Sequence, residues 1–128
     1  MADALFDTTV FIDYYKGDPG ADALMQAVFN GSMTASHSAI THFEIWSGIR
    51  GYHEEIDYLA TITWCEEAVL SASMARSAAR LLRRFTASRS EAPFRDALIA
   101  ATASERGEAI YTRNVRDFRR LYSDVRTY

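Results

Sequence analysis

Residues 93–103, which read PFRDALIAATA, predict a buried, alanine-rich helix that carries one carboxylate near its N-terminal end. Pro93 is tolerated in a first helical turn, because the N–H group that it lacks would have no intrahelical partner there. The small side chains after Asp96 allow this helix to lie close against a sheet. Asp96 has two interpretations: a surface acid stabilised by the helix dipole, or one of several carboxylates that share a cleft.

The sequence on both sides of this helix alternates between short apolar runs and helical patterns. The apolar runs predict strands over residues 4–6, 33–36, 62–65 and 109–112, with a last edge strand at Val125. The helical patterns predict a first helix capped by Thr8 or Thr9, helices over 21–30, 39–50, 52–62, 68–85 and 93–106, and a turn into a short helix over 113–118. Residues 87–91 are a polar connection. This alternation predicts an α/β fold around a central, mainly parallel sheet of four or five strands.

Composition indicates a single domain over residues 1–128, because 48% of the residues are hydrophobic and the chain is too short for two cores. The net charge of −3 is unevenly distributed: residues 1–67 hold eleven acids and two bases, whereas residues 68–128 hold six acids and twelve arginines. This division fits a cation site beside a track for a polyanion, and equally a solvated surface of uneven charge.

We expect a cytoplasmic protein. Cys65 is the only cysteine, so an internal disulfide is excluded and a reducing compartment fits. No apolar run approaches the roughly 20 residues of a membrane span, and the N-terminus lacks the pattern of a secretory signal.

Four acids in separate segments fall where α/β folds build ligand sites, beyond the carboxyl ends of the strands. Asp7 follows the first strand, Asp117 follows the fourth, and Glu44 and Asp96 lie on helices that can line the same crevice. Several carboxylates do not stay ionised together in a confined space without a cation or a large rise in pKa. Ligation by oxygen alone indicates Mg²⁺ or Mn²⁺, and such sites activate water in phosphodiester cleavage.

Two predicted helices have faces that bear on function. In the helix over 39–50, Ile40, Phe43 and Trp46 have the spacing of a core-facing stripe, and Glu44 is predicted on that face. In the helix over 68–85, arginines form a second stripe. A stripe of charges is either the solvated side of a helix or a surface for a polyanion.

The remaining polar residues are expected to have structural roles. The histidines at positions 37, 42 and 53 lack a metal-ligand spacing such as i, i+4, so we expect them to be structural or exposed. Cys65, beside an aromatic residue, is expected in the core. Asp13 is either structural or a neighbour of the metal ligands.

Four blocks, in this order and spacing, resemble a PIN-domain ribonuclease, and most closely the VapC-type toxin of bacterial toxin–antitoxin pairs. They read DTTVFID (7–13), ITHFE (40–44), PFRDALIA (93–100) and TRNVRDF (112–118). The resemblance implies an α/β/α sandwich and a metal-dependent endoribonuclease. It places Asp7 and Asp96 as the primary ligands of Mg²⁺, for which Mn²⁺ can substitute, with Glu44 as the third acid and Asp117 as the fourth.

The resemblance also implies further site residues and partners. Thr112 and Asn114 would orient water or a phosphate oxygen, and a VapB-like antitoxin would cover the site of a toxin that forms a homodimer or a toxin–antitoxin hetero-oligomer. The RNA backbone would be attracted, in a salt-dependent way, by some of Arg76, Arg80, Arg83, Arg113 and Arg116. The chain departs from the family at Thr9, where Asn or Ser is common, and at Asn114, where some relatives carry the fourth acid.

Other functions on this kind of sheet fit less well. A phosphatase with an aspartyl nucleophile at Asp7 would need a second Asp where Thr9 stands. A phospho-receiver domain would need a lysine late in the chain, and the only lysine is Lys16. The alternative that stays open is a catalytically silent module, on the same scaffold, that binds RNA or protein.

Overall fold

The computed structural model describes residues 2–84 and 93–128, in which five strands alternate with seven helices. The strands are β1 (Ala4–Phe6), β2 (Ala35–Ser38), β3 (Glu66–Ala68), β4 (Ala109–Tyr111) and β5 (Val125–Arg126). The helices are α1 (Thr8–Tyr15), α2 (Pro19–Phe29), α3 (Ala39–Ser47), α4 (Tyr52–Ile62), α5 (Ala72–Leu82), α6 (Phe94–Arg106) and α7 (Val115–Arg119).

All strands are parallel, and their order in the sheet is β3-β2-β1-β4-β5. The middle residue of β1, Leu5, pairs with Ser36 on one side and with Ile110 on the other. The chain therefore builds the sheet outward from β1 to β3 and then returns to place β4 on the opposite side of β1. This reversal opens a crevice at the carboxyl ends of β1 and β4, where open α/β sheets bind their ligands.

Helices cover both faces of the sheet, as alternation of side chains along β1 requires. Phe6 packs with Phe11 and Met25 on the face that carries the first helices of the chain. Leu5 points to the other face, where α6 and α7 contribute Ile99 and Phe118. The predicted α/β/α sandwich with a central parallel sheet is confirmed.

Helix α6 lies antiparallel to α5, and small side chains let the two helices approach closely. Ala78 of α5 meets Ala97 and Ala101 of α6, and the Ser73 hydroxyl donates to the Glu105 carboxylate at the far end of the pair. The predicted helix over 93–106 is confirmed. None of the helices within the described residues is long and apolar enough to cross a membrane.

The strand predicted over 62–65 is wrong. Ile62 ends α4, Trp64 and Cys65 lie in the following turn, and β3 begins only at Glu66. β3 lacks an apolar pattern because two of its three residues are exposed acids. An edge strand tolerates exposed charged side chains, so an apolar pattern could not have predicted it. The strand predicted over 33–36 is displaced by two residues and occupies 35–38.

Three helix predictions also need correction. Asp7, rather than Thr8 or Thr9, occupies the N-cap of α1. In α3 the fully buried residues are Thr41 and Ile45. Ile40 and Trp46 of the predicted stripe are partly buried against the core, as predicted, whereas Phe43 is 63% exposed and its predicted place on that stripe is wrong. The helix predicted from residue 68 begins after its Ser71 cap, and its predicted end at residue 85 and the connection over 87–91 lie outside the described residues.

Candidate metal centre

Asp7 leaves β1 at the crevice and is held there by hydroxyl groups. Its side chain is buried, and its Oδ2 atom accepts hydrogen bonds from the hydroxyls of Thr112, at 2.8 Å, and Thr9, at 3.1 Å. The Thr112 hydroxyl also accepts the backbone N–H of Asn114, at 2.9 Å. Burial raises the pKa of the Asp7 carboxyl, while the hydroxyls of Thr112 and Thr9 oppose that rise by favouring the ionised form.

Glu44 reaches the same region from α3. The Thr8 hydroxyl, one residue after Asp7, donates to Glu44 Oε1 at 2.7 Å and lies 3.0 Å from the Thr41 hydroxyl. Since Thr8 belongs to α1 and Thr41 to α3, this chain of hydroxyls ties the two helices together. Glu44 is close enough to Asp7 for its charge to raise the pKa of that carboxyl further.

Asp96 closes the crevice from the first turn of α6. It lines a cleft of about 170 Å³ together with Glu44, Pro93, Phe94 and Arg95. Burial raises the pKa of Asp96 to about 6, and the charges of Asp7, Glu44 and Asp117 add to that rise, whereas Arg95 opposes it. The three other predicted acids therefore lie within electrostatic reach of Asp96, which is the convergence that the sequence predicted.

The residues predicted after β4 are divided between the interior and the surface. Thr112 is fully buried, and its hydroxyl donates to the Asp7 carboxylate, which it positions. Its expected role in orienting water or a phosphate oxygen stays a prediction. Asn114 and Asp117 are exposed at the start of α7. Asp117 thus stands at the rim of the crevice, nearer to solvent than Asp7.

The four carboxylates flank the crevice without forming a compact ligand set. Among residues 2–84 and 93–128, no three of them bring an oxygen atom each within 4.8 Å of the other two. Mg²⁺ keeps several of its water ligands in proteins and takes only one or two carboxylates directly. The donor set therefore fits a hydrated hard ion, since it offers only oxygen atoms and an excess of negative charge.

Comparisons with known proteins agree with this geometry. The family model of the PIN domain matches residues 4–123. The chain belongs to the PIN-domain family. It is 30% identical over 118 residues to "Ribonuclease VapC19" of Mycobacterium tuberculosis, in strains CDC 1551 / Oshkosh and H37Rv, and the match covers 89% of this chain and 90% of that protein.

Solved structures share the fold of this PIN domain over almost its whole length. A toxin–antitoxin complex from Klebsiella pneumoniae contains a chain that superposes with a TM-score of 0.78 and 27% identity, covering 97% of this chain and 96% of that one. A DNA-bound VapBC complex from Salmonella typhimurium gives a TM-score of 0.74 at 22% identity, with coverage of 100% and 98%. At that lower identity the likeness concerns the fold alone.

Arg113 is engaged inside the PIN domain by a buried acid. Its guanidinium forms an ion pair with Asp13, which is 6% exposed, and the Tyr128 hydroxyl donates to the other oxygen of that carboxylate. The Arg113 backbone N–H donates to the Thr9 hydroxyl at 3.0 Å. Asp13 therefore has the structural role that the sequence left open, and it fixes the chain that follows β4.

The other predicted arginines are exposed, and their distances from the crevice differ. Because α5 and α6 are antiparallel, the end of α5 that carries Arg83 lies beside the start of α6, where Asp96 stands. Arg76 is seven residues earlier, about 10 Å along the helix axis. Arg80 lies between them and donates to the Ser77 hydroxyl, while Arg116 is on α7.

Sequence reasoning missed several residues of the crevice. Thr8 and Thr41 hold Glu44, and Phe94, which is 54% exposed, lines the cleft with the Arg95 guanidinium 5.2 Å from its ring centre. The signal for Thr8 was its position directly after Asp7 at the end of β1. No signal in the sequence pointed to Thr41.

Proposed function

We propose that this VapC-type PIN domain is a metal-dependent endoribonuclease and the toxin of a toxin–antitoxin pair. The observation that carries the proposal is the electrostatic convergence of Asp7, Glu44 and Asp117 on Asp96 at the crevice beside β1 and β4. The relative named a ribonuclease matches most of the chain, and the fold neighbours include toxin–antitoxin complexes.

The residues that would hold Mg²⁺, or Mn²⁺ in its place, are Asp7 and Asp96, with Glu44 and Asp117 as further carboxylates. Burial first, and then repulsion from the neighbouring acids, raises the pKa of Asp96. This rise supports the assignment, because a bound cation would favour the ionised form that both effects oppose. When bound, the ion would supply an activated water and would neutralise charge during phosphodiester hydrolysis.

The side chains around the crevice contribute to the reaction by positioning its carboxylates. Thr112 and Thr9 fix the Asp7 carboxylate, and Thr8 fixes that of Glu44, so each acid presents a defined oxygen to the crevice. Side chains fixed in this way lose little freedom when substrate binds. Asn114 stands at the rim, where its amide can donate to a phosphate oxygen.

RNA would approach the crevice across its basic side. Arg83 and Arg116 are exposed, and neither forms an ion pair with a buried acid among residues 2–84 and 93–128. They are therefore the better candidates for backbone contacts, with Arg76 and Arg80 further along α5. Arg113 is a weaker candidate, because Asp13 holds its guanidinium and compensates its charge. We expect cleavage to weaken as salt rises, and the Arg83→Gln variant to show a shallower salt dependence.

A VapB-like antitoxin would occupy the toxin in the cytoplasm, and a toxin homodimer or a toxin–antitoxin hetero-oligomer would be the resting form. Support comes from the assemblies of the fold neighbours, which are VapBC or toxin–antitoxin complexes. The chain offers an apolar surface on α4 that such a partner could cover, since Tyr52, Ile56 and Leu59 are all exposed.

The test is cleavage of RNA in Mg²⁺ by wild type, by Asp96→Asn and by Asp57→Asn, which removes an exposed acid of α4 as a matched control. We expect Asp96→Asn to lose more than about 100-fold of the rate, because changes around metal ligands already cost about 10–100-fold. Undiminished cleavage by Asp96→Asn would overturn the assignment. Absence of Mn²⁺ binding and of growth arrest on expression would favour the silent binding module.

A further inference from the structure

A second group of potential metal ligands lies on the other side of α3 from Glu44. His37 of β2 and Glu67 of β3 are direct register partners in adjacent parallel strands, so their side chains share one face of the sheet. His42, in the first turn of α3, folds back over them. His42 Nε2 lies 2.8 Å from His37 Nε2 and 3.5 Å from Glu67 Oε1.

This group is compact where the carboxylate crevice is not. Among the residues that the structure describes, it is the one trio of His, Cys, Asp or Glu residues whose ligand atoms all lie within 4.8 Å of one another. A tetrahedral zinc site, with bonds of about 2.0–2.1 Å, separates its ligand atoms by about 3.3 Å. The two imidazoles need to part by only about 0.5 Å to admit such an ion.

The His37 imidazole is buried and presents its Nε2 atom to the cluster. His37 is 3% exposed, and its Nδ1 atom is buried without a hydrogen-bond partner. An ion at Nε2 would leave Nδ1 as it is in the metal-free protein, so the proposal depends on the Nε2 geometry and not on Nδ1. Burial, with a smaller contribution from His42, lowers the pKa of His37 to about 4, so its ring is neutral near pH 7 and offers a lone pair.

We propose that His37, His42 and Glu67 bind a zinc-class divalent ion at a site separate from the carboxylate crevice. Two imidazoles and one carboxylate favour Zn²⁺, Ni²⁺ or Cu²⁺ over Mg²⁺. The Glu67 side chain is 60% exposed and that of His42 is 34% exposed, so solvent reaches the cluster and can fill the fourth position.

The ion would fasten α3 to the edge of the sheet. Residues His42 and Glu44 are two apart on this helix and so point to nearly opposite sides of it. The zinc-class site and the crevice therefore open on different sides of one helix. Binding at the cluster would stabilise β3, the exposed edge strand, together with the start of α3.

The experiment is isothermal titration of the untagged full chain with Zn²⁺, in excess Mg²⁺ so that the carboxylates are already occupied. We expect one equivalent to bind wild type, and the dissociation constant to rise more than about 10-fold in Glu67→Gln and in His42→Ala, since both lose a direct ligand. His53→Ala, which removes an exposed histidine of α4, is the matched control and should bind as wild type does.

Two further measurements keep the outcome unambiguous. Circular dichroism and thermal melting without Zn²⁺ verify that each variant is folded, and Glu67→Gln changes a side chain that is 60% exposed. Co²⁺ in place of Zn²⁺ should give the visible d–d bands of a low-coordinate site in wild type and not in His42→Ala. Failure of wild type to bind Zn²⁺, or equal binding by wild type, Glu67→Gln and His42→Ala, would overturn the proposal. The result is independent of RNA cleavage, which is measured in Mg²⁺.

Discussion

Replacing Asp96 by Asn should stabilise the metal-free protein while it abolishes activity. The pKa of Asp96 rises from 3.8 to about 6 on folding, so above that range the folded state holds a charge that it disfavours. Without screening by solvent, this pKa shift corresponds to about 3 kcal/mol of unfolding free energy. Solvent screens a half-buried carboxylate, which reduces the penalty to roughly 1–2 kcal/mol. In a domain of this size we expect a gain of about 3–8 °C in melting temperature.

The pH dependence of stability shows the sign of the electrostatic contribution of Asp96. A carboxyl whose folded pKa is raised favours folding fully at a pH below its unfolded pKa, and this contribution is lost as pH rises through the folded pKa. The melting difference between Asp96→Asn and wild type should therefore be small below about pH 4, grow between pH 4 and 6, and be constant above pH 7.

The assay is thermal melting across this range in a chelating buffer, with Asp57→Asn as a control that should show no such trend. Added Mg²⁺ should then raise the melting temperature of wild type more than that of Asp96→Asn, because the ion binds the folded state through its carboxylates. A variant less stable than wild type at pH 8, or a difference that does not change with pH, would refute the electrostatic account of the crevice.

Three other substitutions, measured by urea unfolding, test interactions that stabilise the fold around the site. Thr112→Val removes the hydroxyl donor to Asp7 and should cost about 1–3 kcal/mol, whereas Thr112→Ser should retain most of the stability; equal values for the two would contradict this. Arg113→Ala leaves the buried Asp13 without its guanidinium and should cost roughly 2–3 kcal/mol, below a fully buried pair because Arg113 is half exposed. Gly107→Ala should cost about 1 kcal/mol, because the residue ends α6 at a φ of 68°; an unchanged midpoint would argue against strain there.

The elements that sequence reasoning located well are those with a strong local signal. The helix at 94–106 and the strand at 109–111 both have apolar patterns that few other structures satisfy. The third strand had no such signal, since Glu66 and Glu67 sit on an exposed edge where backbone pairing with β2, rather than side-chain burial, defines the strand. Phe43 of α3 was misplaced for a related reason: one of the two fully buried positions of this helix belongs to Thr41, a polar residue whose hydroxyl is satisfied by Thr8.

The sequence by itself determined the α/β class, the helix that carries Asp96, and which four acids were candidates for one site, because hydrophobic period and strand-end position are local properties of the chain. Only the tertiary structure decided how those acids are held. It buried Thr112 against Asp7, paired Asp13 with Arg113, and left Asp117 at the rim. It also brought together His37, His42 and Glu67, although the spacing of the histidines had predicted no metal site. Such arrangements depend on strand order and register, which join residues distant in the chain, and no local pattern records them.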